Sequence, residues 1–224
     1  MNKKNMLLSV DFFRDLSEPD IQVLADRAAV RRYGAGELIV AHAEKVRSFY
    51  MVLEGRVKIY RSSPEGKEQT LYIFGPGEPF CLCAAFSDEG YPASAASLTP
   101  ATVFSLPGAE FERIASGHPA ILFNMMQVMS RRLKGAMDLV DSLSLKEIPQ
   151  RVALFLQHMP RDEQEAVQLG MTHRELAKVV GATPESLSRA LKKMNGAGLL
   201  KVVSGTIHIQ DEPGLKLLAE GESL

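Results

Sequence analysis

The sequence predicts an α+β protein in three parts: a module of short strands with flanking helices, one long helix, and a C-terminal pair of short helices followed by a hairpin. Three observations predict it. Between about residues 37 and 106, short apolar runs are separated by turns containing Gly and Pro, the texture of an all-β barrel or sandwich. From Leu122 to Leu143, apolar residues recur in alternating steps of four and three, an a/d seam sustained over about three heptads. In "MTHRELAKVVGATPESLSRALKKM", two capped helical stretches flank a glycine turn. The resulting division is a strand module at 1–117, a helix at 118–144 and a C-terminal domain at 145–224, with "SLSLKEIP" as the hinge.

Each element has a local cause. "SEPDIQVLADRAAV", residues 17–30, reads as a helix with Ser17 as N-cap, Pro19 and Asp20 in its first turn, and Ile21, Leu24, Ala25 and Ala28 at helical spacing. Glu54-Gly55 is a turn between two strand-like runs, the second alternating Val57 and Ile59 with Arg56, Lys58 and Arg61. Further strands follow at "TLYIF" and within "YPASAASLTPATVFSLP", and a helix at 109–116. The seam of the long helix is Leu122, Met126, Met129, Leu133, Ala136, Val140 and Leu143. Two arrangements fit it: packing on the chain's own barrel, or a parallel homodimeric coiled coil. The length and regularity of the seam favour the dimer, with Ile121, Met125 and Val128 beside it free to cover the barrel.

Composition narrows the function classes. With 46% hydrophobic residues the chain can bury a core, and its net charge of −1 sets up no global field toward nucleic acid or membrane. Two cysteines in 224 residues are too few for a disulfide framework and point to a reducing cytoplasm. No apolar run of membrane-spanning length occurs, and Asp11, Arg14 and Asp15 interrupt the N-terminal apolar stretch, so neither a membrane span nor a signal peptide is expected. The chain has no GxGxxG, P-loop, G-x-S-x-G or H-E-x-x-H motif and its five histidines are scattered, so no enzyme chemistry is predicted.

The helical pair carries the clearest functional signal. Thr172 with Glu175 forms a capping-box pattern, Gly181 suits a left-handed helix end, and Thr183 with Pro184 starts the second helix. Leu187, Ala190, Leu191 and Met194 form that helix's inward stripe, and Glu185, Ser188, Arg189 and Lys192 its outward face. Two short helices around a glycine turn describe a helix-turn-helix, whose second helix enters the DNA major groove. Residues 172–201 hold six Lys/Arg against Glu175 and Glu185, a local excess of four positive charges. A Glu185–Arg189 surface ion pair at i,i+4 is the structural alternative. As readout, Arg189 can bond guanine O6 and N7 through two parallel donors, Glu185 can accept from cytosine N4 or orient Arg189, and Ser188 can meet a base edge. Thr172, His173, Lys192 and Lys193 are the expected phosphate contacts, and the hairpin at 201–210 the wing.

The architecture, and "GATPESLSRALKKM" most specifically, resembles the Crp–Fnr transcription regulators over nearly the whole chain. The resemblance implies an N-terminal β-roll of the cyclic-nucleotide-binding, jelly-roll type, a long dimerisation helix and a C-terminal winged helix-turn-helix. It also implies a homodimer on a palindromic operator in double-stranded DNA, a small effector, and RNA polymerase as a further partner. "ESLSR" resembles the family's E-x-x-S-R motif, which maps onto Glu185, Ser188 and Arg189 and implies a TTGA-type half-site. Pro184 stands where cyclic-AMP-binding members have a further arginine.

The effector region departs from the better-known members. Cys81 and Leu82 stand near the position of the family's ribose-binding Gly-Glu pair, and "YPASA" replaces its phosphate-binding arginine segment. No basic residue lies between Lys67 and Arg113, so cyclic AMP is not the predicted ligand. The N-terminal cysteine cluster of the iron–sulfur members is missing. "FCLC" resembles the F-C-x-H segment of a carbon-monoxide-sensing haem member, with Cys83 in place of the histidine, which implies haem as an alternative cofactor and a gas or redox sensor as the alternative function. The candidate effector pocket is Phe80, Cys81, Leu82 and Cys83. Its cysteines can also be small hydrophobes on one face of a strand, half of a four-cysteine metal site, or a strained disulfide. The metal content is left unknown.

Overall fold

The structure, a computed structural model, describes residues 3–8, 13, 16–45, 47–82, 90–162 and 166–223, the side chains of residues 5 and 6 apart. Cys83 therefore lies outside the described residues. Two compact units result, one of residues 1–66 and 71–134, the other of residues 67–70 and 135–224. The division falls inside the long helix, between Lys134 and Gly135, and not at its two ends.

The N-terminal unit is built on β1 (Ala29–Tyr33), β2 (Leu38–Val40), β3 (Ser48–Glu54), β4 (Val57–Ser62), β5 (Glu68–Phe74, of which residues 68–70 fall in the other unit), β6 (Pro79–Phe80), β7 (Ser94–Ser97) and β8 (Ala101–Pro107). They form two four-stranded sheets, ordered β1-β8-β3-β6 and β2-β7-β4-β5. β8 shows why the sequence there is almost continuously apolar. Antiparallel neighbours flank it on both sides, Val30 and Met51 both standing opposite Phe104. Its side chains then alternate between two cores. Ala101 and Val103 enter the roll interior with Val52, Val57, Phe74 and Phe80. Phe104 and Leu106 face the helices. β3 divides in the same way, sending Phe49 and Met51 to the helices and Val52 to the interior.

Helices cover the second core, helix Lys3–Leu8 contributing Leu7. Helix Glu18–Arg27 contributes Ile21, Leu24 and Ala25, helix Gly108–Gly117 contributes Phe111, Ile114 and Ala115, and the long helix Pro119–Leu145 contributes Ile121 and Met125. Phe111 stacks on Phe49 with centroids 4.2 Å apart and planes 8° from parallel. Val128 packs partly against the same cluster, so the expectation that Ile121, Met125 and Val128 cover the barrel is met.

Two expectations need correction. The helix expected over residues 17–30 ends at Arg27, because Ala29–Tyr33 pairs with Ser105–Ala101 of β8. Most of that strand is exposed, so tertiary pairing and not its own apolar pattern makes it a strand. On β4, the alternation of buried Val57 and Ile59 with outward cations fails at Lys58, which is buried with its ammonium 4.9 Å from the Tyr60 ring centroid.

In the C-terminal unit, helix Ile148–Gln157 opens on a capping box in which the Glu147 N–H donates to Gln150 Oε1 at 2.8 Å. Its Val152, Ala153 and Leu156 pack with Leu215, Leu218 and Ala219 of a C-terminal helix, Glu212–Glu220. The sequence pattern did not point to that helix, although Asp211 caps it by accepting from the Gly214 N–H at 3.0 Å. β9 (Leu200–Val203) and β10 (Thr206–Ile209) form the expected hairpin, turning at Ser204-Gly205. Among the described residues, no helix is long and apolar enough to cross a membrane.

The β3–β4 turn offers a direct test. Gly55 has φ +77°, and a Cβ on it would stand 2.1 Å from the Pro100 carbonyl oxygen, a backbone atom that cannot rotate away. Gly55→Ala is expected to destabilise the protein by about 2–4 kcal/mol, measured by urea unfolding, and an unchanged midpoint would refute this reading of the turn.

Candidate nucleic-acid interface and roll interior

The helix-turn-helix is assembled by local bonds. Thr172 Oγ1 accepts from the Glu175 N–H at 3.2 Å and starts helix His173–Val179, whose Leu176 and Ala177 are buried. The Glu175 carboxylate accepts from Lys178 Nζ at 2.9 Å. Gly181 then takes φ +66°, and the Ala182 N–H closes back on the Ala177 carbonyl at 2.8 Å, a Schellman closure. A Cβ at Gly181 would stand 2.5 Å from Leu143 Cδ2, so the turn needs glycine for space as well as for conformation. Thr183 Oγ1 accepts from the Ser186 N–H at 3.2 Å and starts helix Pro184–Gly196. Leu187, Ala190, Leu191 and Met194 bury the inward stripe as expected.

The opposite face of helix Pro184–Gly196 exposes Glu185, Ser188, Arg189, Lys192 and Lys193 together. Arg189 does not adopt the i,i+4 ion pair with Glu185. Its Nη2 donates instead to Ser186 Oγ at 3.1 Å, and Ser186 is itself held by the cap through the Thr183 hydroxyl. The Glu185 carboxyl is held below its usual range, first by its own backbone N–H at the helix start, then by the Thr183 hydroxyl and the positive charge of Arg189. Lys178 is engaged by the Glu175 carboxylate, which leaves Arg174, Arg189, Lys192, Lys193 and Lys201 as the exposed cations of the basic stretch.

A groove of about 320 Å³ runs beside this face, with Pro184, Leu187 and Leu191 as its apolar lining and Arg174, Ser188 and Lys192 among its polar edges. Asn195 and the wing residue Val202 also line it. Sequence reasoning did not single out either one, and it counted Arg174 only toward the local charge. His173 lines the groove as well, but its Nε2 is buried without a hydrogen-bond partner among the described residues. Of the four expected phosphate contacts, Thr172, Lys192 and Lys193 are exposed and His173 is only partly so.

The long helix presents a second apolar face. Leu122, Met126, Met129, Leu133 and Val140 are 42%, 67%, 52%, 66% and 64% exposed, and Ala136 is exposed beside them. Leu143, the last residue of the seam, is half-buried beside the Gly181 turn. Phe123 and Met137, outside the a/d register, are exposed on the same helix.

At the roll, the three described candidate pocket residues separate. Phe80 and Cys81 are buried in the interior cluster, while Leu82 is buried in the helix-facing one. The strand reading of the cysteines is overturned for Cys81. β6 ends at Phe80, and Cys81 takes φ +58°, a left-handed conformation that stops strand alternation. Tyr50 stacks on Phe80 at 5.4 Å, and burial, with a smaller contribution from Cys81, pushes its phenol up to about 12, so the phenol stays neutral. Tyr91 and Ala93, from the "YPASA" segment, are buried in the same cluster. Arg132 of the long helix, which lies outside the stretch between Lys67 and Arg113, holds its guanidinium 4.8 Å from the Phe74 ring centroid. Among the described residues, no three His, Cys, Asp or Glu side chains group closely enough to hold a metal ion.

Comparison with known proteins agrees with this architecture. Residues 30–118 match the model of the cyclic nucleotide-binding domain and residues 150–218 that of the Crp-like helix-turn-helix domain. The chain is 26% identical over 209 residues to the cyclic AMP receptor protein of Thermus thermophilus, covering 93% of this chain and 96% of that one. It is also 26% identical over 190 residues to the fumarate and nitrate reduction regulatory protein of Escherichia coli, covering 82% and 76%. A CooA variant from Carboxydothermus hydrogenoformans superposes with a TM-score of 0.78 at 24% identity, over 98% of this chain and 96% of that one, a likeness of fold. With both domain models matched in order and relatives aligned across nearly its whole length, the chain belongs to the Crp–Fnr family of DNA-binding transcription regulators.

Proposed function

We propose that the protein is a homodimeric regulator that senses a small effector in the β-roll and reads a TTGA-like palindrome with its two recognition helices. The observation that carries the DNA half is the joint exposure of Glu185, Ser188 and Arg189 on one face of a helix whose other face is fully packed. Arg189 supplies the bidentate donor for guanine, Glu185 the acceptor for cytosine N4, and Ser188 a short base-edge contact. Because Arg189 donates to Ser186 and not to Glu185, no Glu185–Arg189 ion pair has to break before the Glu185 carboxylate meets a base. Thr172, Lys192 and Lys193, with His173 at the groove edge, take the phosphates, and the hairpin with Lys201 serves as the wing. Such a pair of helices must reach successive major grooves about 34 Å apart, which requires two copies.

The exposed face of the long helix supports the dimer. Burying a fully exposed large apolar side chain is worth roughly 1.5–3 kcal/mol, so covering the exposed parts of Leu122, Met126, Met129, Leu133 and Val140 on both copies is of the same order as the cost of association. Effector binding then acts by favouring one packing of this helix pair over another. Work in the cytoplasm and contact with RNA polymerase belong to the same reading. For the effector, the burial of Tyr91 and Ala93 where a phosphate would need a cation supports a ligand other than a cyclic nucleotide.

Binding-site selection on random DNA, run with the wild type and Arg189→Ala, tests the readout. The variant is expected to lose about 1–3 kcal/mol of specific affinity and to relax its choice of guanine, and an unchanged half-site preference would refute the assignment. Met129→Asp and Val140→Asp are each expected to yield monomers in sedimentation equilibrium, and a dimer persisting in both rules out the seam. Cyclic AMP is expected to leave operator affinity unchanged, and tighter binding on its addition would overturn that part of the proposal. Absorbance of the purified protein separates the haem alternative, for which a Soret band shifting with carbon monoxide or nitric oxide is the positive result.

A further inference from the structure

β6 is only two residues long and forms the edge of its sheet, pairing with β3 through Tyr50↔Phe80 and Met51↔Pro79. Pro79 has no N–H to give to the ladder, and the left-handed Cys81 takes the chain away immediately afterwards. Just before β6, the Gly77 N–H donates to the Val52 carbonyl at 2.8 Å and the Val52 N–H to the Glu78 carbonyl at 3.1 Å. A further bond to this edge comes from the long helix. Arg132 donates from Nη2 to the Pro79 carbonyl while its guanidinium lies over Phe74. Phe74 in turn packs on Phe80 at 5.8 Å, and Phe80 on Tyr50. A planar guanidinium can cover a ring and donate in its own plane at once, which a lysine ammonium does not do. On the helix, Arg132 stands next to Leu133 of the exposed apolar strip.

We infer that Arg132 is a positioning residue that latches the β6 edge to the long helix at Pro79, so that movement at Phe80–Cys81 is delivered to the helix face that pairs two copies. The inference rests on the proposal that the roll senses an effector and assigns the residue through which the signal leaves it. Arg132 is invisible to that role in the sequence, where it reads as one more polar position between two seam residues.

Hydrogen exchange and operator binding of the full chain test the latch. Arg132→Met keeps the length and packing of the side chain but removes its charge and donors. The amides of Phe80, Cys81 and Leu82 are expected to lose protection by about tenfold or more in this variant, because a charge-assisted bond to the edge strand is gone. Affinity for DNA selected by the wild type is expected to change by about fivefold or more, the range of an ordinary coupling between sites. Arg132→Lys, which retains a charged donor, is expected to recover part of both effects. Wild-type exchange at Phe80–Leu82 in Arg132→Met overturns the latch, and altered exchange with unaltered DNA affinity overturns the coupling, leaving a local staple. If the wild type selects no DNA at all, the regulator reading fails separately, and the coupling falls with it while the exchange comparison still decides the latch.

Discussion

Ile121 and Met125 are buried against the roll, while Leu122 and Met126, one residue further along the same helix, are exposed. Neighbouring side chains on a helix are separated by about 100°, so one roll cannot cover both sets. The long helix therefore carries two apolar faces with different obligations: one completes the N-terminal core, and the other is left for a surface outside the chain. In a family of DNA-binding regulators this constraint ties the other parts together. The inward face fixes where the helix begins relative to the roll, and the outward face is the one proposed to take a second copy. Leu143 at its far end meets the turn of the helix-turn-helix.

The helix-turn-helix depends on little beyond local chemistry. Two hydroxyl caps, a left-handed glycine and an apolar stripe are enough to set two helices at an angle, and each of these groups is within a few residues of what it bonds. The same locality explains why the recognition face is so exposed. With Leu187, Ala190, Leu191 and Met194 turned inward, Glu185, Ser188, Arg189 and Lys192 have nowhere to go but out. What the pattern did not reveal is the pairing within that face. Arg189 has two neighbours within reach, Ser186 and Glu185, and only side-chain geometry decides that the hydroxyl holds it.

The roll interior shows the opposite balance. Phe80, Cys81 and Leu82 are adjacent in sequence, yet they serve two different cores, because Cys81 leaves the strand and turns left-handed. Strand alternation could not foresee this, since nothing local forces a cysteine to a positive φ. Cys81 is buried in the interior cluster with Tyr33, Val52, Val57 and Phe74, residues separated from it by about 7 to 48 positions in the chain, which local pattern does not register.

The amino-acid sequence by itself determined the features that arise from contacts between near neighbours. It specified the Ser17, Thr172 and Thr183 caps, the Gly55 and Gly181 turns, the period of the long helix, and the face that carries Glu185, Ser188 and Arg189. Tertiary structure alone decided which exposed run became β1, that Lys58 is buried, that Asp211 starts a terminal helix, and that Arg132 meets β6. The physical reason is the range of the interactions. Caps, turns and helical periodicity are settled within one or two helical turns of chain. Strand pairing and a long side chain's choice of partner depend on groups that only folding brings together.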